Sequence, residues 1–311
     1  NQLNTYVECR AIFCNLDMVK DKLVECVIEL AHRAYTIMSG KHSKKTAAFT
    51  KACLAFCHIT IPSIRSVSRK LELLLHCSNC ALLNQCLPQT DTFLKAAITL
   101  IPEMPPNEEF EGKRVHTEQR LAQYLSSLLS TLVLVPGHPD HGPFYIVQGL
   151  LNAVPKYPWQ AHTGCQTRVY INMLALLATY AQKKFPYSLP HVESNDVLYC
   201  SAPGYAFDLA QQTSKCVEEI LKQLTALGET AVSNSSAKMT QVRLVLDMVN
   251  QLTCRMELNK DVGDLVVKML GLANQHRNSF GQGETAYFRN TVAFVGDTAN
   301  NSPNAAKLPG K

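Results

Sequence analysis

Apolar residues recur every three or four positions along most of the chain. Leu16, Val19, Leu23, Val27, Leu30, Ala34 and Ile37 share one face of a helix more than five turns long, and Asn15 stands where an N-cap is wanted. Leu121, Leu125, Leu128, Leu132 and Val135 repeat the pattern until Pro136-Gly137 stops it. Leu209, Cys216, Ile220, Leu224 and Leu227 predict another helix, ended by Gly228. Val242, Val245, Val249, Leu252 and Met256 predict the next, and Val262, Leu265, Val266, Met269 and Leu272 the one after. Stretches at about 46–58, 63–76, 79–101, 143–154 and 166–184 also read as helix. They are separated by Ile61-Pro62, Met104-Pro105-Pro106, Pro155 to Pro158, Phe185-Pro186 and Pro203-Gly204. Pro88 falls inside the 79–101 stretch and predicts a kink or a break between two short helices.

No sustained apolar–polar alternation marks a sheet, so the expected class is all-α. About ten helices paired by short turns predict hairpins of roughly 40 residues, the spacing of HEAT and armadillo arrays. The expected organisation is a single α-solenoid array over 1–296, a piece of a longer protein, with a disordered tail over 297–311. Residues 103–116 read as a surface loop and 229–238, rich in Ser and Ala, as a joint. The first helix pair is expected to be an exposed end of the array.

The composition fits a globular protein: 46% hydrophobic and 18% charged residues, with mean hydropathy near zero. The net charge of +5 is scattered, whereas a phosphate-binding surface concentrates Lys and Arg on one face. The cluster Lys41, Lys44 and Lys45 sits at an expected helix start and reads as a solvated face, so nucleic acid is not expected. No apolar run reaches the roughly 18 residues of a membrane span, and the first residues do not read as a signal peptide. There are twelve cysteines. Cys26, Cys57, Cys216 and Cys254 fall within helical apolar patterns, where a free thiol acts as a small hydrophobe, as suits a reducing cytoplasm.

Two local clusters could carry chemistry. His138-Pro139-Asp140-His141 holds two imidazoles and a carboxylate, all zinc ligands in other settings. The two prolines, Pro139 and Pro143, stiffen the backbone, and no further ligand follows at a metal spacing. The preferred reading is therefore an interhelical turn, with Asp140 or His141 capping and Pro143 opening the next helix. Cys77-Ser78-Asn79-Cys80 resembles half a zinc site, but no second pair follows; a helix–helix turn with incidental cysteines is expected. Phosphate-binding loops, a zinc-protease helix and a nucleophile elbow are absent from the sequence. Neither a catalytic residue nor a cofactor is assigned. Trp159, in Tyr157-Pro158-Trp159, could anchor an interface or pack over a helix end, and Phe144 and Tyr145, next to the His-Pro-Asp-His turn, could extend the same edge. The expected partner-binding residues are thus His138, Pro139, Asp140, His141, Phe144, Tyr157 and Trp159.

Several strings go beyond helix filler. Gly40-Lys41-His42-Ser43-Lys44-Lys45-Thr46-Ala47-Ala48-Phe49, Cys57-His58-Ile59-Thr60-Ile61-Pro62-Ser63, Asn84-Gln85-Cys86-Leu87 and Phe93-Leu94-Lys95-Ala96-Ala97-Ile98 come first. His138-Pro139-Asp140-His141-Gly142, Gly149-Leu150-Leu151-Asn152 and Ser194-Asn195-Asp196-Val197-Leu198-Tyr199 follow. In order and spacing they resemble the C-terminal part of the large α-solenoid scaffold subunits of Retriever, the endosomal recycling complex related to retromer. The resemblance covers roughly residues 12–200 and fades beyond 205. It implies a non-enzymatic scaffold, peripheral on endosomes, that returns cargo to the plasma membrane. Its partners would be a small metallophosphoesterase-fold subunit, an arrestin-like subunit held through a more N-terminal part, and a coiled-coil-containing endosomal complex. The turns and helices between about 117 and 275 would hold the small subunit. The large subunit of retromer, another helical-repeat transport scaffold, or a metal-dependent enzyme using the His138–His141 turn are the alternatives.

Overall fold

A computed structural model describes residues 2–110, 112–138, 140–160, 162–182, 195, 204–231, 235–256 and 260–301. The described helices are α1 (Gln2–Ile12), α2 (Asp17–Met38), α3 (Lys44–Thr60), α4 (Val67–Leu83), α5 (Leu87–Leu100), α6 (Glu118–Leu132) and α7 (Tyr145–Ala153), followed by α8 (Cys165–Tyr180), α9 (Tyr205–Ala231), α10 (Ser235–Arg255), α11 (Lys260–Gln275) and α12 (Gln282–Asn301). The fold is all-α, built of helix hairpins packed on their chain neighbours in the HEAT manner. Among the described residues, no helix is long and apolar enough to cross a membrane.

The chain divides into two compact units. The first comprises Asn1–Gly137 with Gln148–Pro158, the second His138–Val147 with Trp159–Lys311. In the first, α2 packs on α3 and α4, and α4 on α5 and α6. Leu23, Val24, Val27 and Ala31 are buried from α2, and Leu71, Leu74 and Cys77 from α4. The ends of the predicted α2 stripe are solvated, with Leu16 and Ile37 exposed. Asn15 does not cap: Leu16 occupies the N-cap and no side chain bonds the helix start. Ser43 and Ser66 do cap, accepting from the amides of Thr46 and Arg69.

Helix ends follow two local rules. After α3, α5 and α7 the chain tightens into 3₁₀ turns, Ile61–Ser63, Ile101–Glu103 and Val154–Lys156, each with proline near its start. The residue before each proline is buried, so the turn is pinned by a β-branched side chain. After α2 and α4 the stop is a left-handed residue, Ser39 (φ 49°) and Gln85 (φ 56°). Around Gln85, the Cys86 amide reaches the Ala81 carbonyl at 2.8 Å and the Gln85 amide the Leu82 carbonyl at 3.0 Å, a Schellman closure. The expected break near Pro88 is therefore real. It falls over residues 84–86, and Pro88 sits in the first turn of α5, where its missing N–H costs nothing.

Three expectations need correction. Residues 103–116 contain a β-hairpin, β1 (Asn107–Phe110) paired antiparallel with β2 (Lys113–His116). Gly228 does not end its helix, and α9 runs on to Ala231. A Cβ there would stand 2.9 Å from Gln241 Nε2, so the glycine lets α10 approach rather than stopping α9. The tail expected from residue 297 begins inside α12, which continues to Asn301; residues 302–311 lie outside the described residues.

In the second unit α8, α9, α11 and α12 all pack on α10. Its Val242, Leu244, Val245, Leu246, Met248, Val249 and Leu252 are buried. Gly164 (φ 68°) precedes α8 beneath Leu244. Helix α12 is held mainly by polar contacts. Tyr287 donates to Asp247 at 2.6 Å, Asn250 donates to Tyr287 and Thr291 at 3.0 and 3.1 Å, and Arg243 pairs with Glu284 at 2.5 Å.

Candidate interaction surface

The His138 turn belongs to the second unit. The Gly142 amide donates to the His138 carbonyl at 3.0 Å, and Gly142 takes a left-handed φ of 79°, which glycine adopts without Cβ strain. The Asp140 amide donates to His138 Nδ1 at 3.1 Å, closing the turn on its own side chain. The imidazoles lie 4.6 Å apart, and each ring centre is 5.4 Å from the Tyr145 ring. The result is a small aromatic cluster over the start of α7, with His141 and Asp140 exposed and His138 partly covered. Pro143 lies two residues before α7 rather than at its first position. Pro139 lies outside the described residues, as do Ser194 and Asp196 to Tyr199 of the later string.

The other expected contact residues are not gathered here. Phe144 is buried against Tyr180 and Tyr205, with ring centres 5.6 and 5.1 Å away. Tyr157 is buried in the first unit, its hydroxyl 2.9 Å from Thr117 Oγ1. Both therefore serve packing, and of the seven expected positions the described ones with exposed surface are Asp140 and His141, then His138 and Trp159 in part. Of Phe144 and Tyr145, the pair expected to extend this edge, it is Tyr145 that stands with the two imidazoles, at a spacing of four from His141.

The paired cysteines Cys77 and Cys80 are not in a turn. They lie inside α4 and are buried, near Cys53 and Cys57 of α3. Burial pushes the Cys53 and Cys80 thiols up to about 12, so these groups are apolar filling rather than nucleophiles. Cys254, read as core, is exposed. Among the described residues no three His, Cys, Asp or Glu side chains converge as a metal shell requires.

Two features of the first unit face solvent. A groove of about 650 Å³ lies between α2 and α4, walled by Ile28, Leu82, Leu83 and Leu134 with His32 and His76 at its rim. Its lining suits a protein segment better than a charged metabolite. Beside it Arg69 ties α2 to α4: it donates to Asp21 at 2.9 Å, to Glu72 at 2.9 Å, and to Glu25. Arg120 of α6 continues the chain to Glu72 at 2.7 Å. Burial would raise Glu72, but its hydrogen bonds from Arg120 and Arg69 outweigh that and hold it below the ordinary value. Lys22, then Arg69, does the same for Glu25.

These surfaces suit a binding protein. Comparison with known proteins is specific: the profile of the VPS35L C-terminal domain matches residues 1–308. The chain belongs to that family. VPS35 endosomal protein sorting factor-like of Dictyostelium discoideum is 38% identical over 295 residues, 95% of this chain and 30% of that protein. The Homo sapiens relative, VPS35 endosomal protein-sorting factor-like, is 38% identical over 88% of this chain and 28% of its own length. The Drosophila melanogaster relative is 33% identical over the same shares. The chain spans about 30% of the length of the curated relatives it matches. The similarity does not stop near residue 205, as the distinctive strings suggested, but runs through α9 to α12.

Proposed function

We propose that the chain is the partner-holding part of a non-enzymatic endosomal sorting scaffold, the large subunit of a Retriever complex. The family match over residues 1–308 carries this reading, since the relatives are named as endosomal protein sorting factors. In this reading the helices and turns between about 117 and 275 hold a small metallophosphoesterase-fold subunit. The exposed Asp140 and His141 of the His138 turn, and separately the half-exposed Trp159, contribute to that contact. An arrestin-like subunit binds through more N-terminal residues outside this chain, and a coiled-coil-containing complex brings the assembly to endosomes as a peripheral, cytoplasmic coat. Hairpin arrays suit such work because they bury their core between neighbours and leave long surfaces for partners.

The test is a pull-down from cytosol with this chain as bait, read by mass spectrometry, with gel filtration against the purified small subunit. Co-elution at micromolar concentration, weakened at least about tenfold by the double change Asp140→Lys and His141→Glu, is the expected result. A folded, helical bait that elutes apart from the small subunit overturns the proposal.

A further inference from the structure

Helix α3 buries one side and leaves the other unpartnered. Thr50, Cys53, Leu54 and Cys57 are buried, and His58 rests edge-on to Phe93 of α5 with ring centres 5.9 Å apart. On the opposite side Ala48, Ala52, Ala55 and Ile59 are exposed, at the four–three–four spacing along which two helices pack lengthwise. At about 100° per residue, Lys44 and Lys51 flank this line on one margin and Lys45 on the other, and all three are exposed. The helix contains no acidic residue, and Asp91 of the neighbouring α5 is held by Lys95 at 2.9 Å. Among the described residues no ion pair engages Lys41, Lys44, Lys45 or Lys51. Lys44 and Lys45 also stand in the first turn of α3, the end where the helix dipole disfavours cations and favours carboxylates. Charge therefore selects what covers this face. A second copy of α3 would set lysine against lysine, whereas an acidic helix is attracted. The alanines let its axis approach to about 8 Å, the close end of the usual range.

We propose that the exposed face of α3 docks an acidic amphipathic helix of a partner protein. Large apolar side chains of that helix straddle Ala48, Ala52 and Ala55 and cover Ile59, which is 60% exposed. Carboxylates on its margins meet Lys44 and Lys51 on one side and Lys45 on the other. The face lies outside residues 117–275, which are assigned to the small subunit, and holds independently of the Retriever reading. Failure of either test therefore leaves the other intact.

The probe is a fluorescent peptide of three heptads, with leucine at the two seam positions and glutamate at the two flanking positions of each. It is titrated by anisotropy into the purified chain; its own like charges keep it from self-pairing. Four companions separate the sources of binding. Two are peptides, one with lysine in place of glutamate and one of the same composition shuffled out of its heptads. Two are variants of the chain: Lys44→Glu with Lys51→Glu, and Ala52→Gln with Ala55→Gln. The glutamine pair keeps every charge and much of the helix propensity but obstructs the seam. Expected are binding of the acidic heptad peptide, no binding of the lysine or shuffled peptide, and a loss of at least about tenfold in each variant. Circular dichroism of both variants should match the parent because the altered side chains are solvated. No binding, equal binding of the shuffled peptide, binding indifferent to either double change, or capture of phosphatidylserine vesicles in place of the peptide each overturns the proposal.

Discussion

Gly164 carries a double constraint. Its φ of 68° suits glycine, and a Cβ would stand 2.4 Å from Leu244 Cδ1 and 3.0 Å from Thr240 Cγ2. Gly164→Ala should destabilise the second unit by about 1–3 kcal/mol, from backbone strain and overpacking together, measured as a lower urea midpoint. Arg69 is the corresponding residue of the first unit. Arg69→Ala leaves Asp21, Glu25 and Glu72 close together without their shared cation, and should cost about 1–2 kcal/mol. Neither role was legible in the sequence. A lone glycine before a helix looks like any turn, and Arg69 meets Asp21 and Glu25 from 48 and 44 residues away. Spacing along one helix could reveal only the Glu72 contact.

At the scale of elements, periodicity located the helices because each buries one stripe, and it failed where that rule changes. Helix α10 is covered on several sides, so its stripe understates its burial. The hairpin was missed because a strand with every position exposed shows no alternation. Cys77 and Cys80 were misplaced because a Cys-x-x-Cys spacing says nothing about whether the backbone is helical. Helix α12 shows the opposite extreme: Thr291 is its one buried residue among those described, and its grip on α10 is polar. Amide exchange in α12 should therefore be faster than in α10. Tyr287→Phe should speed it further by leaving the Asp247 carboxylate without its donor, at a cost of about 1–2 kcal/mol. The same change should leave exchange in α8 unaltered.

For the whole molecule, the ion-pair chain sets a pH dependence. Glu25 and Glu72 titrate below their ordinary value of 4.5 when folded. The stability they supply is present above that value and is lost as pH falls through the lower folded values. The urea midpoint should therefore drop below about pH 4.5, and Arg69→Met should flatten that slope. Family membership was legible from short strings, several of them at helix ends and turns such as 40–43, Ile61–Ser63, 84–87 and 138–142, where the backbone demands particular residues. It became faint after residue 205 because α9 to α12 carry few such demands. The His138 turn was legible as a turn, since its prolines and glycine announce one. The inward rotation of Phe144 and Tyr157 was not, because burial of an aromatic depends on helices distant in sequence.

The buried cysteines make the chain a reporter on itself. Cys53, Cys57, Cys77, Cys80 and Cys86 lie within the first unit and Cys216 within the second, whereas Cys14 and Cys254 are exposed. A maleimide added to the native protein should modify the exposed pair at once and the others only as their unit opens. Mass spectrometry of the labelled peptides would then clock the opening of each unit separately in one tube, with no introduced probe.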